Sequence, residues 1–159
     1  MTQALSEQLL ALATDKRLTV TTAESCTGGM VAAAITDIAG SSTIFERGFV
    51  TYSNQAKHDM LGVRTETLDA FGAVSEEVAR EMAEGARSAA NADIAVAISG
   101  IAGPGGSEFK PEGRVCFGWS SIQGTGSETI EFGAIGRDKV RQASTKHALQ
   151  KLLNAATLL

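Results

Sequence analysis

Cysteine is scarce: the 159 residues hold two, Cys26 and Cys116. They show no CxxC spacing, and with only two histidines they give neither a zinc pattern nor a disulfide framework. A reducing cytoplasm is the simplest home for such a chain. Proline is equally rare. Both copies, Pro104 and Pro111, fall in one glycine-rich segment, so no proline-rich linker divides the chain. No apolar run approaches the roughly 20 residues of a membrane span. The start, Met1-Thr2-Gln3-Ala4-Leu5-Ser6-Glu7, lacks the basic and apolar regions of a signal peptide. Positive charge is in deficit, with a formal net charge of −4. That argues against a nucleic-acid partner bound by broad phosphate neutralisation, and leaves room for one small phosphate-bearing ligand. Aromatics make up only 5%, so much of the packing must come from Ala, Val, Ile and Leu at close approach.

What remains is an ordinary globular composition, 43% apolar and 20% charged. The length suits one domain over residues 1–159, with a core that needs no metal or disulfide. Leu5, Leu9, Leu10, Leu12 and Ala13 give residues 3–14 a helical period. Leu18–Thr22 reads as a β-branched strand, Ala23–Gly29 as a polar turn, and Met30–Asp37 as an alanine-rich helix. Ile44–Tyr52 reads as a second strand. Ser53 and Asn54 suit the cap of a short helix through Met60, and Thr65–Phe71 another helix. Ser75 followed by two glutamates, then Val78, Met82, Ala86 and Ala90 every four residues, predicts a helix over 75–91.

Ile94–Ser99 is a continuous apolar run, the pattern of a central strand covered on both faces. Gly100–Gly113 reads as a loop. Val115, Phe117 and Trp119 alternate, as do Ile130, Phe132 and Ala134, with turn chemistry at Gln123–Gly126, which predicts an antiparallel hairpin. Arg137 opens a long C-terminal helix. Strands separated by helices imply a three-layer α/β/α sandwich with a mixed sheet, mostly parallel apart from that hairpin.

In an open α/β sheet, ligands bind where strand C-termini lead into helices. Three polar segments follow strands: Glu24–Gly29, Tyr52–Lys57 and Ser99–Ser107. Parallel order would bring them to one edge. Ser25, between a strand and a glycine-led helix, follows the logic of a nucleophile turn, near N–H groups able to hold an oxyanion or phosphate. It also suits a helix N-cap. Lys57 can serve as general base if burial lowers its pKa, with Tyr52 relaying the proton. Equally, Lys57 can lie on a solvated helix face and Tyr52 at a core edge. The Ser99 loop lets backbone approach a ligand or is merely a connection; it matches neither GxxxxGK[ST] nor GxGxxG. Arg137, Lys139 and Arg141 cluster at a helix start, where the dipole disfavours cations, and suggest an anion ligand or a solvated face. Cys26 is a rival nucleophile, or a small buried residue. His58 and His147 have no partner visible in sequence and read as structural.

Four ordered motifs carry a resemblance. Thr21–Gly29, Gly48–Asn54 with Lys57 following, Gly72–Glu76, and Ser99–Gly106 with Lys110–Gly113 resemble the signatures of the CinA C-terminal domain family over essentially the whole chain. The resemblance is to its stand-alone form, since nothing like the extra N-terminal domain of larger members is seen. It implies a five-stranded mixed sheet like that of anticodon-binding domains. It also implies hydrolysis of the carboxamide of nicotinamide mononucleotide to nicotinic acid mononucleotide and ammonia, in pyridine nucleotide salvage. By the same resemblance Ser25 is the nucleophile, with Tyr52 and Lys57 assisting. Ser99 stands where threonine is frequent, and Arg141 or, second, Arg137 meets the ligand. Thr27, Gly28, Gly29, Gly100 and Gly103 complete the expected binding set. The cationic pyridinium activates the carboxamide, so neither metal nor cofactor is expected. Expected partners are the small-molecule substrate and a second copy in a dimer, with no nucleic acid and no membrane. A non-catalytic nucleotide sensor and a competence- or damage-related interaction module are the alternatives.

Overall fold

The computed structural model describes residues 2–107 and 109–159. The elements run α1 (Thr2–Lys16), β1 (Val20–Glu24), α2 (Met30–Thr36), β2 (Phe49–Val50), α3 (Asn54–Leu61), α4 (Thr65–Phe71), α5 (Glu76–Ala90), β3 (Ile94–Gly100), β4 (Arg114–Ser121), β5 (Gly124–Glu131) and α6 (Arg137–Leu158). The five strands form one sheet in the order β2-β1-β3-β4-β5. β2, β1 and β3 are parallel, whereas β4 and β5 pair antiparallel. The mixed α/β sheet is therefore the one anticipated, with its hairpin at one side.

The alternation along β3 decides the layers. Ile94, Val96 and Ile98 face one core, shared with Leu9 of α1, Val31 of α2, and Leu149 and Leu152 of α6. Ala95 and Ala97 face the other, shared with Leu61, Leu68, Val78 and Met82 from α3, α4 and α5. Bulky residues hold α6 away from the sheet. Small ones let α5 come down onto it: a Cβ at Gly118 of β4 would stand 2.3 Å from the Ala79 carbonyl oxygen. The continuous apolar run of β3 thus reflects burial on both faces, each large aliphatic side chain contributing about 1.5–3 kcal/mol. No helix among the described residues is long and apolar enough to cross a membrane.

Two local expectations are corrected. The strand expected over 44–52 shrinks to Phe49–Val50, with only an isolated bridge from Phe45 to Val20 upstream. Between them, the Thr21 hydroxyl donates to the Arg47 carbonyl at 2.7 Å, a side-chain bond in place of a ladder bond. The hairpin turn expected at Gln123–Gly126 contracts to Ile122–Gln123, with Gly124 and Gly126 paired inside β5. Gly126 is kept bare by the Trp119 ring, 2.6 Å from where its Cβ would lie.

Candidate active site

Because β1, β2 and β3 run parallel, their C-terminal ends lie at one edge, and the three polar segments meet there around a cleft of about 330 Å³. Ser25 and Cys26 come from the turn after β1. Tyr52, Asn54 and Lys57 follow β2. Ser99, Gly100 and the turn Gly103–Ser107 follow β3, and Arg137 closes the rim from α6.

Ser25 is not the cap of α2. That place belongs to Gly29, and the capping oxygens come from Glu24, a fully buried carboxylate. It accepts from the Thr27 hydroxyl at 2.6 Å and from the N–H groups of Gly29, Val31 and Ala32 at 3.2, 2.9 and 3.0 Å. With the helix start satisfied by Glu24, the Ser25 hydroxyl is left for the cleft. It accepts from Lys57 Nζ at 3.0 Å, and Lys57 also donates to the Thr51 carbonyl at 2.9 Å.

Lys57 lies in the first turn of α3, whose start is fixed by Ser53 accepting from the Ala56 N–H. That register turns Lys57 inward rather than onto the solvated face. The side chain is 1% exposed, and burial lowers its pKa to about 8. Among the described residues no carboxylate pairs with Lys57; a buried, unpaired ammonium is costly, and the arrangement favours a neutral amine at mildly alkaline pH. Cys26 responds oppositely: burial pushes its thiol up to about 11, and its own N–H, that of Gly100, Lys57 and Arg141 offset only part of the rise. That favours the protonated thiol over the thiolate a nucleophile requires.

The two arginines part company. Arg137 faces the cleft, donating to the Gly103 carbonyl at 2.7 Å and to the Tyr52 hydroxyl at 3.0 Å. Arg141 lies behind the turn after β1, donating from Nε to the Cys26 carbonyl at 3.0 Å and from Nη2 to the Thr27 carbonyl at 3.3 Å. Thr27, Gly28 and Gly29 build that turn and do not line the cleft, whereas Ser99, Gly100 and Gly103 do. The Ser99 hydroxyl is tied to the Ala73 carbonyl at 2.7 Å. Tyr52 does not stand between serine and lysine; it is 62% exposed, bonded to Arg137, while Ser25 and Lys57 touch directly.

Sequence reasoning missed Glu24 as the cap, Asn54 as a cleft residue, and Glu112, which accepts from the Gly105 N–H. A carboxylate five residues before the cap position gives no capping signature, so Glu24 carried no readable signal. The histidines do have partners: His58 Nδ1 bonds the Val63 carbonyl at 2.9 Å, and His147 pairs with Glu128, which Lys151 also holds at 2.9 Å.

A family model described as the CinA C-terminal domain matches residues 2–156. The Escherichia coli K12 protein named nicotinamide-nucleotide amidohydrolase PncC is 60% identical over 149 residues, covering 93% of this chain and 90% of that protein. Its namesake from Enterobacter agglomerans is 52% identical over 150 residues, covering 94% and 92%. Among solved structures, the competence/damage inducible protein CihA from Agrobacterium tumefaciens has a TM-score of 0.92 at 48% identity, covering 96% of this chain and 95% of that one. A CinA superfamily protein from Klebsiella pneumoniae has a TM-score of 0.95 at 36% identity, covering 100% and 99%.

Proposed function

The chain belongs to the CinA C-terminal domain family, and we propose that it hydrolyses the carboxamide of nicotinamide mononucleotide to nicotinic acid mononucleotide and ammonia. The observation that carries the reading is the Ser25 hydroxyl 3.0 Å from a buried Lys57 amine. The names of the relatives at 60% and 52% identity supply the substrate.

Neutral Lys57 takes the Ser25 proton while the serine oxygen attacks the carboxamide carbon. The Gly28 N–H is spent on the Ser25 carbonyl at 3.1 Å and Thr27 does not line the cleft, so the N–H of Cys26, which does, is left to receive the oxyanion. Such a donor is worth about 3–4 kcal/mol in a well-studied protease. Lys57, now an ammonium, returns its proton to the departing nitrogen, and ammonia leaves. An ester on Ser25 remains. Lys57 then deprotonates a water, which attacks the ester. The serine oxygen departs with the proton, and the product is the carboxylate. Tyr52 serves the ligand rather than the proton, offering its exposed ring to the cationic pyridinium. Arg137, free of carboxylate partners among the described residues, meets the phosphate at the mouth.

Ammonia release from nicotinamide mononucleotide, by wild type and Ser25→Ala with a chelator present, tests this. Ammonia from wild type alone, unaffected by chelator, is the expected result. Nucleotide binding by calorimetry without ammonia would make the protein a nucleotide sensor instead.

A further inference from the structure

Gly103, Pro104, Gly105 and Gly106 line the cleft in the turn after β3. A turn of successive backbone N–H groups makes an anion-binding concavity that can receive a ligand's phosphate. This turn already holds an anion of the protein's own. The Gly105 N–H donates to Oε1 of Glu112. The carboxyl group packs under Gly103 so closely that a Cβ there would stand 2.7 Å from Cδ of Glu112. Among the described residues no lysine or arginine pairs with Glu112. Farther along the loop, Lys110 Nζ donates to the Phe71 and Val74 carbonyls at 2.6 and 2.5 Å, so its charge serves that anchorage.

We propose that Glu112 is a specificity-determining residue: its carboxylate holds the anion position of the glycine turn, sends the ligand's phosphate to Arg137, and shifts preference from the nucleotide toward the uncharged-tail riboside. The proposal rests on the reading of the cleft as a nicotinamide-nucleotide site. The physics is a sign argument. A phosphate dianion at the cleft mouth is repelled by a carboxylate under the same turn, whereas the pyridinium cation shared by both ligands is attracted to it.

Glu112→Gln keeps an oxygen for the Gly105 N–H and removes only the charge, which separates electrostatics from turn geometry. Ammonia release is measured from nicotinamide mononucleotide and from nicotinamide riboside, at low and high salt. At low salt the variant should show KM for the nucleotide about 3- to 10-fold lower, with kcat retained. The nucleotide-to-riboside ratio of kcat/KM should rise correspondingly, and the difference should collapse near 1 M salt, where screening acts within about 3 Å. Glu112→Ala should lower KM for the nucleotide as well, and also lower kcat, because the turn loses its pin. An unchanged or higher nucleotide KM in Glu112→Gln overturns the proposal, even if Glu112→Ala is impaired; Glu112 would then be a structural pin. If the riboside is not turned over, the nucleotide KM alone decides. Wild type that releases no ammonia from either ligand overturns the parent reading together with this one. Wild type that does, with KM unmoved in Glu112→Gln, overturns this one only.

Discussion

The turn after β1 and the turn after β3 both face the cleft, yet they are held in different ways. The first is over-determined. Glu24 spends its carboxylate on four donors beneath it, and Arg141 holds two of its carbonyls from behind. The second is pinned at separate points by charged side chains, Arg137 at Gly103 and Glu112 at Gly105. Bond-making needs a nucleophile placed within a fraction of an ångström, and that demands a rigid support. Ligand capture tolerates adjustment, and glycine with few tethers supplies it. The proposed division of labour gives chemistry to the first turn and ligand discrimination to the second.

Ser25→Ala strikes the rigid turn hardest, because it removes the reacting atom. Turnover should fall at least about 10,000-fold with nucleotide affinity within about threefold of wild type, read by ammonia release and calorimetry. Cys26→Ala should retain most of its activity; the reverse pattern would move the nucleophile to Cys26. Glu24→Ala leaves four donors, two buried and two part-buried, without an acceptor, and thermal unfolding should report a loss of about 3–5 kcal/mol.

The two arginines of α6 sharpen the contrast further. Arg141→Lys cannot span the Cys26 and Thr27 carbonyls, so kcat should drop about 10- to 100-fold with KM little changed. Arg137→Lys should instead raise KM about 10-fold and leave kcat nearly intact. Equal effects on both parameters in both variants would erase the distinction between the turns.

Lys57 links chemistry to stability through its titration. With its pKa lowered to about 8 by burial, kcat/KM should climb with pH up to about 8 and then level. Unfolded lysine titrates near 10.4, so between about 8 and 10.4 the unfolded chain binds more protons and the folded state gains stability as pH rises. Below that window the fold carries a buried ammonium. Lys57→Met should be inactive and, at pH 7, melt about 2–6 °C higher, an advantage that shrinks as pH rises from 8 to 10.4.

Much of the fold was legible because its signals are periodic. The four-residue repeat of Val78, Met82 and Ala86, and the unbroken apolar run of Ile94–Ile98, state their burial in one dimension. The meeting of three polar segments at one edge followed from parallel strand order alone. What escaped were relations across the chain. The Lys57 pattern suits a general base and a solvated lysine alike until α3 turns the side chain under Thr51, six residues back and across a strand end. Arg141 reads as a ligand arginine because only the packing of α6 against the turn after β1 reveals the carbonyls that consume it. Glu112 and Gly105 are seven residues apart, and the motif that holds both gives no sign that they touch. The strand expected over 44–52 failed for a similar reason: Thr21, distant in sequence, diverts the Arg47 carbonyl.

The central claim is that Ser25, deprotonated by Lys57, forms an ester with the nicotinoyl group. Partitioning that ester with hydroxylamine tests it most directly. The account predicts that ammonia release from nicotinamide mononucleotide continues while hydroxamate appears at the expense of the acid, in wild type and Cys26→Ala but not in Ser25→Ala. Ammonia with the acid as sole product at saturating hydroxylamine, or hydroxamate persisting in Ser25→Ala, would contradict it.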